Sequence, residues 1–154
     1  MSENNLNIQM VDLKSQYMKI KPQVDQAIND VLSSTQFING EHVKSFQNEL
    51  ADYLGVKHVI TCANGTDALQ ISMMALGLKP GDEIITPSFT YIATTEVIGL
   101  LGLKPVFVDC DPENFNISVD EVEKAITKKT KAIVPVHLFG QSSDMKSIMS
   151  LAKK

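Results

Sequence analysis

The turn between Thr61 and Leu69 carries the residues whose types and spacing are best suited to chemistry in this chain. An apolar run ending at Ile60 gives way to helical spacing, which predicts a strand that ends and a helix that begins. The first N–H groups of a helix have no partner within the helix, and the helix dipole makes this end positive. The backbone at Gly65–Asp67, that is Gly65, Thr66 and Asp67, is therefore a candidate phosphate-binding site.

A purely structural interpretation of the same turn stays open. Asn64 is a suitable N-cap, and Asp67 three positions later can return a capping-box hydrogen bond. A carboxylate beside a phosphate is repulsive. Phosphate binding therefore requires Asp67 to offer its backbone N–H while its side chain caps the helix or points away.

Tyr91 is the second candidate, because it follows the next predicted strand. In a parallel sheet, ligands collect at the carboxyl ends of the strands. We expect three turns at that edge, over residues 62–67, 87–91 and 137–141. An aromatic ring beside a phosphate site suggests a flat cofactor ring stacked on Tyr91. The alternative is that Tyr91 packs in the core with its hydroxyl group hydrogen-bonded.

Alternating short apolar segments and helical patterns predict an α/β fold, with a mainly parallel sheet and helices on both faces. Turn signals rich in glycine, proline and aspartate separate these segments. The predicted strands are Val56–Thr61, Glu83–Thr86, Pro105–Val108 and Lys131–Val136. The predicted helices begin at Pro22 and span Glu41–Leu54, Thr66–Leu76, Thr90–Leu101, Val119–Thr127 and Ser142–Lys153.

Composition indicates one ordinary globular domain. The chain has 154 residues, 44% hydrophobic and 21% charged, with a net charge of −4. This charge argues against a nucleic-acid partner, and no apolar run predicts a membrane span. We expect a cytoplasmic protein whose two cysteines, Cys62 and Cys110, are buried reduced thiols near strand ends. Asp109 and Asp111 favour a strand-ending turn, and we expect no metal site.

A series of motifs, read in order, resembles the N-terminal part of the DegT/DnrJ/EryC1/StrS family, sugar aminotransferases of fold type I. The resemblance extends over nearly the whole chain from about Val11. The matching segments are Phe37–Glu41, Asn64–Leu69, Leu76–Pro87, Phe89–Thr94, Lys104–Asp109 and Thr130–Gln141.

The resemblance implies pyridoxal 5′-phosphate (PLP) as cofactor, with its phosphate held by Gly65, Thr66 and Asp67. It also implies that Tyr91 stacks on the pyridine ring. The loop of Phe37, Ile38 and Asn39 matches one near the active site of a homodimer, where it contacts a sugar nucleotide. The motif variants are most similar to members that act on a 3-oxo sugar nucleotide, with relatives acting on dTDP-linked 3-oxo-6-deoxyhexoses as close competitors. Glutamate is the implied amino donor, and surface polysaccharide or related amino-sugar synthesis is the implied setting.

The same resemblance puts the Schiff-base lysine beyond Lys154, so no catalytic residue is expected within the chain. Residues 1–21 would form a lead-in, and residues 22–154 would form the N-terminal part of the PLP-binding large domain. The 154 residues alone are therefore expected to be inactive. A PLP-dependent sugar dehydratase of the same family remains an alternative, as does a non-catalytic α/β module that binds a nucleotide. His137 is expected to be structural rather than a general base, and Gln141 is a further contact candidate.

Overall fold

The computed structural model describes residues 10–154. Its internal contacts divide the chain into a first unit that ends at Thr61 and a second unit that spans Cys62–Lys154. The first unit is helical, and the second contains the sheet.

The first unit contains α1 (Leu13–Ser34) and α2 (Glu41–Leu54). The prediction that the first helix begins at Pro22 was wrong, because the cap lies at Asp12, whose carboxylate accepts from the Ser15 N–H at 2.9 Å. Helix α2 has the predicted bounds, and Gly55 ends it in the left-handed conformation at φ 65°.

The predicted strand Val56–Thr61 is not formed, so this prediction was wrong. A strand needs a neighbour for its backbone groups, and residues 10–154 provide none for this segment. Instead, the side-chain amide of Gln47 donates to the Val59 carbonyl at 3.3 Å and lies 3.4 Å from the Thr61 hydroxyl. The chain therefore enters the second unit as an irregular segment.

The second unit is built on a three-stranded parallel sheet with the order β2–β1–β3, which confirms the α/β prediction. Its strands are β1 (Glu83–Pro87), β2 (Lys104–Val108) and β3 (Thr130–Ile133). Strand β3 is shorter than predicted. The Val134 N–H still donates to the Ile85 carbonyl at 2.8 Å, but Pro135 has no N–H to extend the ladder.

Helices cover both faces of this sheet, as predicted. They are α3 (Gly65–Ala75), α4 (Ala93–Leu100), α5 (Val119–Ala125) and α6 (Met145–Ala152). Successive strand residues point to opposite faces. Ile84 accordingly joins an apolar cluster with residues of α3 and α4, whereas Ile85 joins one with residues of α5 and α6. Both isoleucines are fully buried.

The two cysteines differ from expectation. Cys62 is exposed, because it lies in the turn before α3 rather than at the end of a strand. Cys110 is half-buried and forms a short antiparallel bridge with Ile117. The prediction that both thiols are buried was therefore wrong. Within residues 10–154, no helix has the length and apolar character needed to cross a membrane.

Candidate functional site

Helix α3 begins at the turn that the sequence singled out. Asn64 is extended, at φ −162° and ψ 176°, and is the N-cap of the helix. Its side-chain oxygen accepts from the Asp67 N–H at 2.9 Å. The predicted N-cap is confirmed, and the helix begins at Gly65, one residue before the predicted Thr66.

The Asp67 side chain contacts the side chain of the N-cap residue Asn64. The side-chain amide of Asn64 donates to the Asp67 carboxylate at 3.2 Å, so the two side chains bond reciprocally. The carboxylate thus has the capping role that phosphate binding requires of it. The Asp67 N–H, however, is already donated to Asn64 and is not a free donor.

Two backbone donors remain at the helix start. Among residues 10–154, the N–H groups of Gly65 and Thr66 have no hydrogen-bond acceptor. A Cβ atom added at Gly65 would meet nothing within 4 Å, so the space beside it is open. Two free donors at the positive end of an 11-residue helix suit a phosphate group.

Tyr91 lies in the loop between β1 and α4, and 77% of its surface is exposed. The alternative that Tyr91 packs in the core is therefore wrong. Its ring is accessible to a planar ligand. The predicted helix start at Thr90 was also wrong, because α4 begins at Ala93.

The connectivity brings the start of α3 and the Tyr91 loop to the same edge of the sheet. A short turn connects the end of α3 to the first residue of β1, whereas α4 follows the last residue of β1. Because α3 and α4 pack against each other and share an apolar cluster over β1, both helices begin near the carboxyl ends of the strands. This is the edge at which α/β proteins bind ligands.

The segment 137–141 follows β3 and reaches the same edge, since β3 is parallel to its neighbour β1. His137 is exposed, and its Nδ1 accepts from the Ser143 N–H at 3.1 Å. This contact is the structural role expected of His137. Gln141 is exposed beside it.

Sequence reasoning missed a buried polar pair beneath this segment. Asn116 and Ser143 are 5% and 4% exposed. The Asn116 oxygen accepts from the Leu138 N–H at 3.3 Å, and the Ser143 hydroxyl donates to the Val136 carbonyl at 3.0 Å. The available signal was Asn116 beside the apolar residue Ile117, where a buried amide needs partners.

The segment after β2 is a turn, as predicted. The Asp111 carboxylate accepts from the N–H groups of Glu113 and Asn114, at 2.8 and 3.2 Å. Asp109 accepts from its neighbour Cys110. The carboxylates therefore organise the local backbone.

The loop of Phe37, Ile38 and Asn39 belongs to the first unit, where it connects α1 and α2. Phe37 and Ile38 are 65% and 87% exposed, and Asn39 has a left-handed backbone at φ 49°. Gly40 ends the loop. A Cβ atom there would lie 2.6 Å from the Gln36 carbonyl oxygen, so the tight approach requires glycine.

Comparison with known proteins gives consistent matches. The model of the DegT/DnrJ/EryC1/StrS aminotransferase family matches residues 18–154. The UDP-2-acetamido-2-deoxy-3-oxo-D-glucuronate aminotransferase of Pseudomonas aeruginosa is 52% identical over 147 residues, which cover 96% of this chain and 41% of that protein.

Two solved structures have the same fold. A DegT/DnrJ/EryC1/StrS aminotransferase from Brucella abortus superposes with a TM-score of 0.91 at 42% identity, over 96% of this chain and 41% of the other. The NtdA protein of Bacillus subtilis, solved with the cofactor PMP bound, gives 0.85 at 38% identity, over 88% and 31%. The chain thus spans about two fifths of the relatives' length. Because the family model matches most of its residues, the chain belongs to the DegT/DnrJ/EryC1/StrS aminotransferase family.

Proposed function

We propose that this chain supplies the phosphate- and ring-binding part of a PLP-dependent aminotransferase. The complete enzyme transfers an amino group from glutamate to a keto sugar nucleotide, with a 3-oxo sugar as the preferred acceptor. Synthesis of surface polysaccharide or related amino sugars, in the cytoplasm, is the setting of this reaction.

One observation carries the proposal: the start of α3 in a chain of this family has two backbone donors without an acceptor among residues 10–154, those of Gly65 and Thr66. These two N–H groups donate hydrogen bonds to two of the phosphate oxygens of PLP. The open space beside Gly65 admits the phosphate without a steric clash. Asp67 contributes indirectly, because its carboxylate and N–H hold the Asn64 cap in place.

The exposed ring of Tyr91 stacks on the pyridine ring of the cofactor. When bound, PLP acts as an electron sink that stabilises negative charge at the substrate carbon. Gly65, Thr66 and Tyr91 bind and orient the cofactor, whereas the proton transfers need an amine that these residues do not supply. The Schiff-base lysine lies outside the 154 residues, which are inactive by themselves.

The sugar nucleotide contacts the loop of Phe37, Ile38 and Asn39 in a homodimer. The exposed aromatic and aliphatic side chains of this loop offer apolar surface, and Asn39 offers a hydrogen-bonding amide. The P. aeruginosa relative acts, by its name, on a 3-oxo glucuronate linked to UDP. This supports the 3-oxo class of acceptor.

The cofactor part of the proposal is tested on the 154-residue chain by equilibrium dialysis with PLP and with pyridoxal, which lacks the phosphate. We expect PLP to bind and pyridoxal to bind more weakly. Borohydride treatment should leave no PLP attached to a lysine of the chain. Equal binding of the two compounds would contradict the phosphate site, and a stable covalent adduct would contradict the assignment of the lysine outside these residues.

The reaction is tested on the complete gene product with glutamate and several keto sugar nucleotides. An aminotransferase should form 2-oxoglutarate with a 3-oxo acceptor. Failure across all acceptors, with PLP bound, would favour the dehydratase of the same family. Failure to bind PLP would favour the non-catalytic module.

A further inference from the structure

His137 has one ring nitrogen whose hydrogen-bonding role is determined by the backbone. The Ser143 N–H lies 3.1 Å from His137 Nδ1. A backbone N–H can only donate, so Nδ1 must carry a lone pair. In the neutral ring the proton is then on Nε2.

The donor in this contact is itself held by buried groups. The Ser143 hydroxyl donates to the Val136 carbonyl at 3.0 Å and lies 3.3 Å from the Asn116 oxygen. The Asn116 amide donates to the Ser142 carbonyl at 3.4 Å, and its oxygen accepts from the Leu138 N–H. These contacts tie the chain on both sides of His137 to the Asn116–Ser143 pair. Contacts within the protein, rather than with solvent, therefore fix both the position of the His137 ring and its tautomer.

The opposite side of the ring is available. His137 is exposed, and within residues 10–154 its Nε2 atom has no hydrogen-bond partner. The residue follows β3 at the edge where α3 begins. Val134, three residues earlier, packs on the same apolar cluster as Leu69 of α3. An oriented N–H donor thus lies at the ligand-binding edge.

We propose that His137 is a binding residue that donates its Nε2–H to an oxygen of the ligand bound at this edge, with Asn116 and Ser143 as the positioning residues that select this tautomer. The proposal rests on the proposed function, because PLP is the ligand concerned. The accepting oxygen belongs to the cofactor, either its phosphate or its ring hydroxyl.

The tautomer is tested on the cofactor-free chain by long-range ¹H–¹⁵N correlation at mildly alkaline pH. The chain has three histidines, so the His137 signals can be assigned by their absence in His137→Asn. We expect Nδ1 to show the shift of an unprotonated nitrogen and Nε2 that of a protonated one. A protonated Nδ1, or averaged shifts of two exchanging tautomers, would overturn the proposal.

The ligand role is tested by PLP affinity in a matched pair of variants. In His137→Asn the side-chain oxygen replaces Nδ1 as acceptor, but the Nε2 donor is lost. In His137→Gln the amide reaches the Nε2 position and keeps the donor. We expect about a tenfold weaker affinity for His137→Asn and a largely retained affinity for His137→Gln.

The outcomes separate this proposal from the proposed function. Native binding of PLP with unchanged affinity in His137→Asn would overturn the ligand role of His137 alone. Absence of PLP binding by the native chain would overturn the proposed function, and the ligand role with it. The tautomer measurement is independent of both results, because it needs no cofactor.

Discussion

Replacement of Gly65 by proline separates the fold of the α3 turn from its binding of phosphate. Gly65 is the first residue of α3, where proline is favoured, and its N–H has no acceptor among residues 10–154. Asn64 before it is already extended, as a residue preceding proline must be. Since a Cβ atom at Gly65 meets nothing within 4 Å, we expect Gly65→Pro to fold. Restriction of the unfolded chain should raise the free energy of unfolding by about 0.4–1 kcal/mol.

The same change removes one of the two donors proposed for the phosphate. A hydrogen bond to a charged group contributes about 1.5–3 kcal/mol. The affinity for PLP should therefore fall by about ten- to about a hundred-fold. Gly65→Ala is the matched control, because it adds a Cβ atom but keeps the N–H, and we expect it to bind PLP nearly as the native chain does.

Two measurements are needed. The chain has no tryptophan, so urea unfolding is followed by far-ultraviolet circular dichroism. The affinity for PLP is measured by equilibrium dialysis. A Gly65→Pro chain that is as stable as the native one and binds PLP equally tightly would refute the placement of the phosphate at the start of α3.

Three further predictions concern stability, each measured by urea unfolding of the 154-residue chain. The hydroxyl of Thr127 and the ammonium group of Lys104 bond the Glu83 carboxylate and hold its pKa below the ordinary value. As the pH falls, Glu83 is therefore protonated at a higher pH in the unfolded chain than in the folded one. The stabilisation from the Glu83 carboxylate is present above its pKa in the unfolded chain and is lost as the pH falls through its pKa in the folded chain. Glu83→Gln should be less stable than the native chain at neutral pH, and the difference should shrink in acid. Ile85→Ala, at a fully buried position, should lower the free energy of unfolding by about 2–5 kcal/mol. Gly40→Ala should lower the stability of the first unit by about 1–3 kcal/mol, because its Cβ would lie 2.6 Å from the Gln36 carbonyl oxygen.

Each of these predictions has a control and an outcome that contradicts it. A constant difference between Glu83→Gln and the native chain across the acid range would exclude a role for the Glu83 charge. Ile60→Ala removes an isoleucine that is 79% exposed, and it should cost much less than Ile85→Ala. Gly99→Ala lies inside α4 with open space around it and should be neutral or stabilising by up to about 1 kcal/mol. Equal effects at Gly40 and Gly99 would show that the close approach to Gln36 is relieved without cost.

Local chemistry made several elements predictable. The N-cap at Asn64 and the stop at Gly55 depend on neighbouring residues only, and both were placed from the sequence. The start of α1 was not predictable in this way. Proline at position 22 suggested the first turn of a helix, but in the structure the helix passes through this residue. The residue type of Pro22 alone therefore did not decide whether it lies in the first turn or in the interior of the helix.

Long-range partners account for what the sequence did not reveal. Val56–Thr61 has strand-like residues, but a strand forms only where another strand supplies donors and acceptors. The Asp67 N–H was assigned to phosphate, and in the folded turn the Asn64 side chain takes it. Asn116 and Ser143 are 27 residues apart, and only the return of the chain after β3 brings them together.

The amino-acid sequence by itself determined the fold class, the N-cap of α3 and the family, and it indicated the residues that we propose to hold a phosphorylated ring. These features follow from residue types, turn chemistry and short-range spacing, all of which depend on residues that are close together in the sequence. The tertiary structure decided which of those donors are free, that His137 Nδ1 accepts a hydrogen bond from Ser143, and that Tyr91 is exposed. Hydrogen bonds are competitive, so a donor's partner is decided only when every nearby acceptor has its final position.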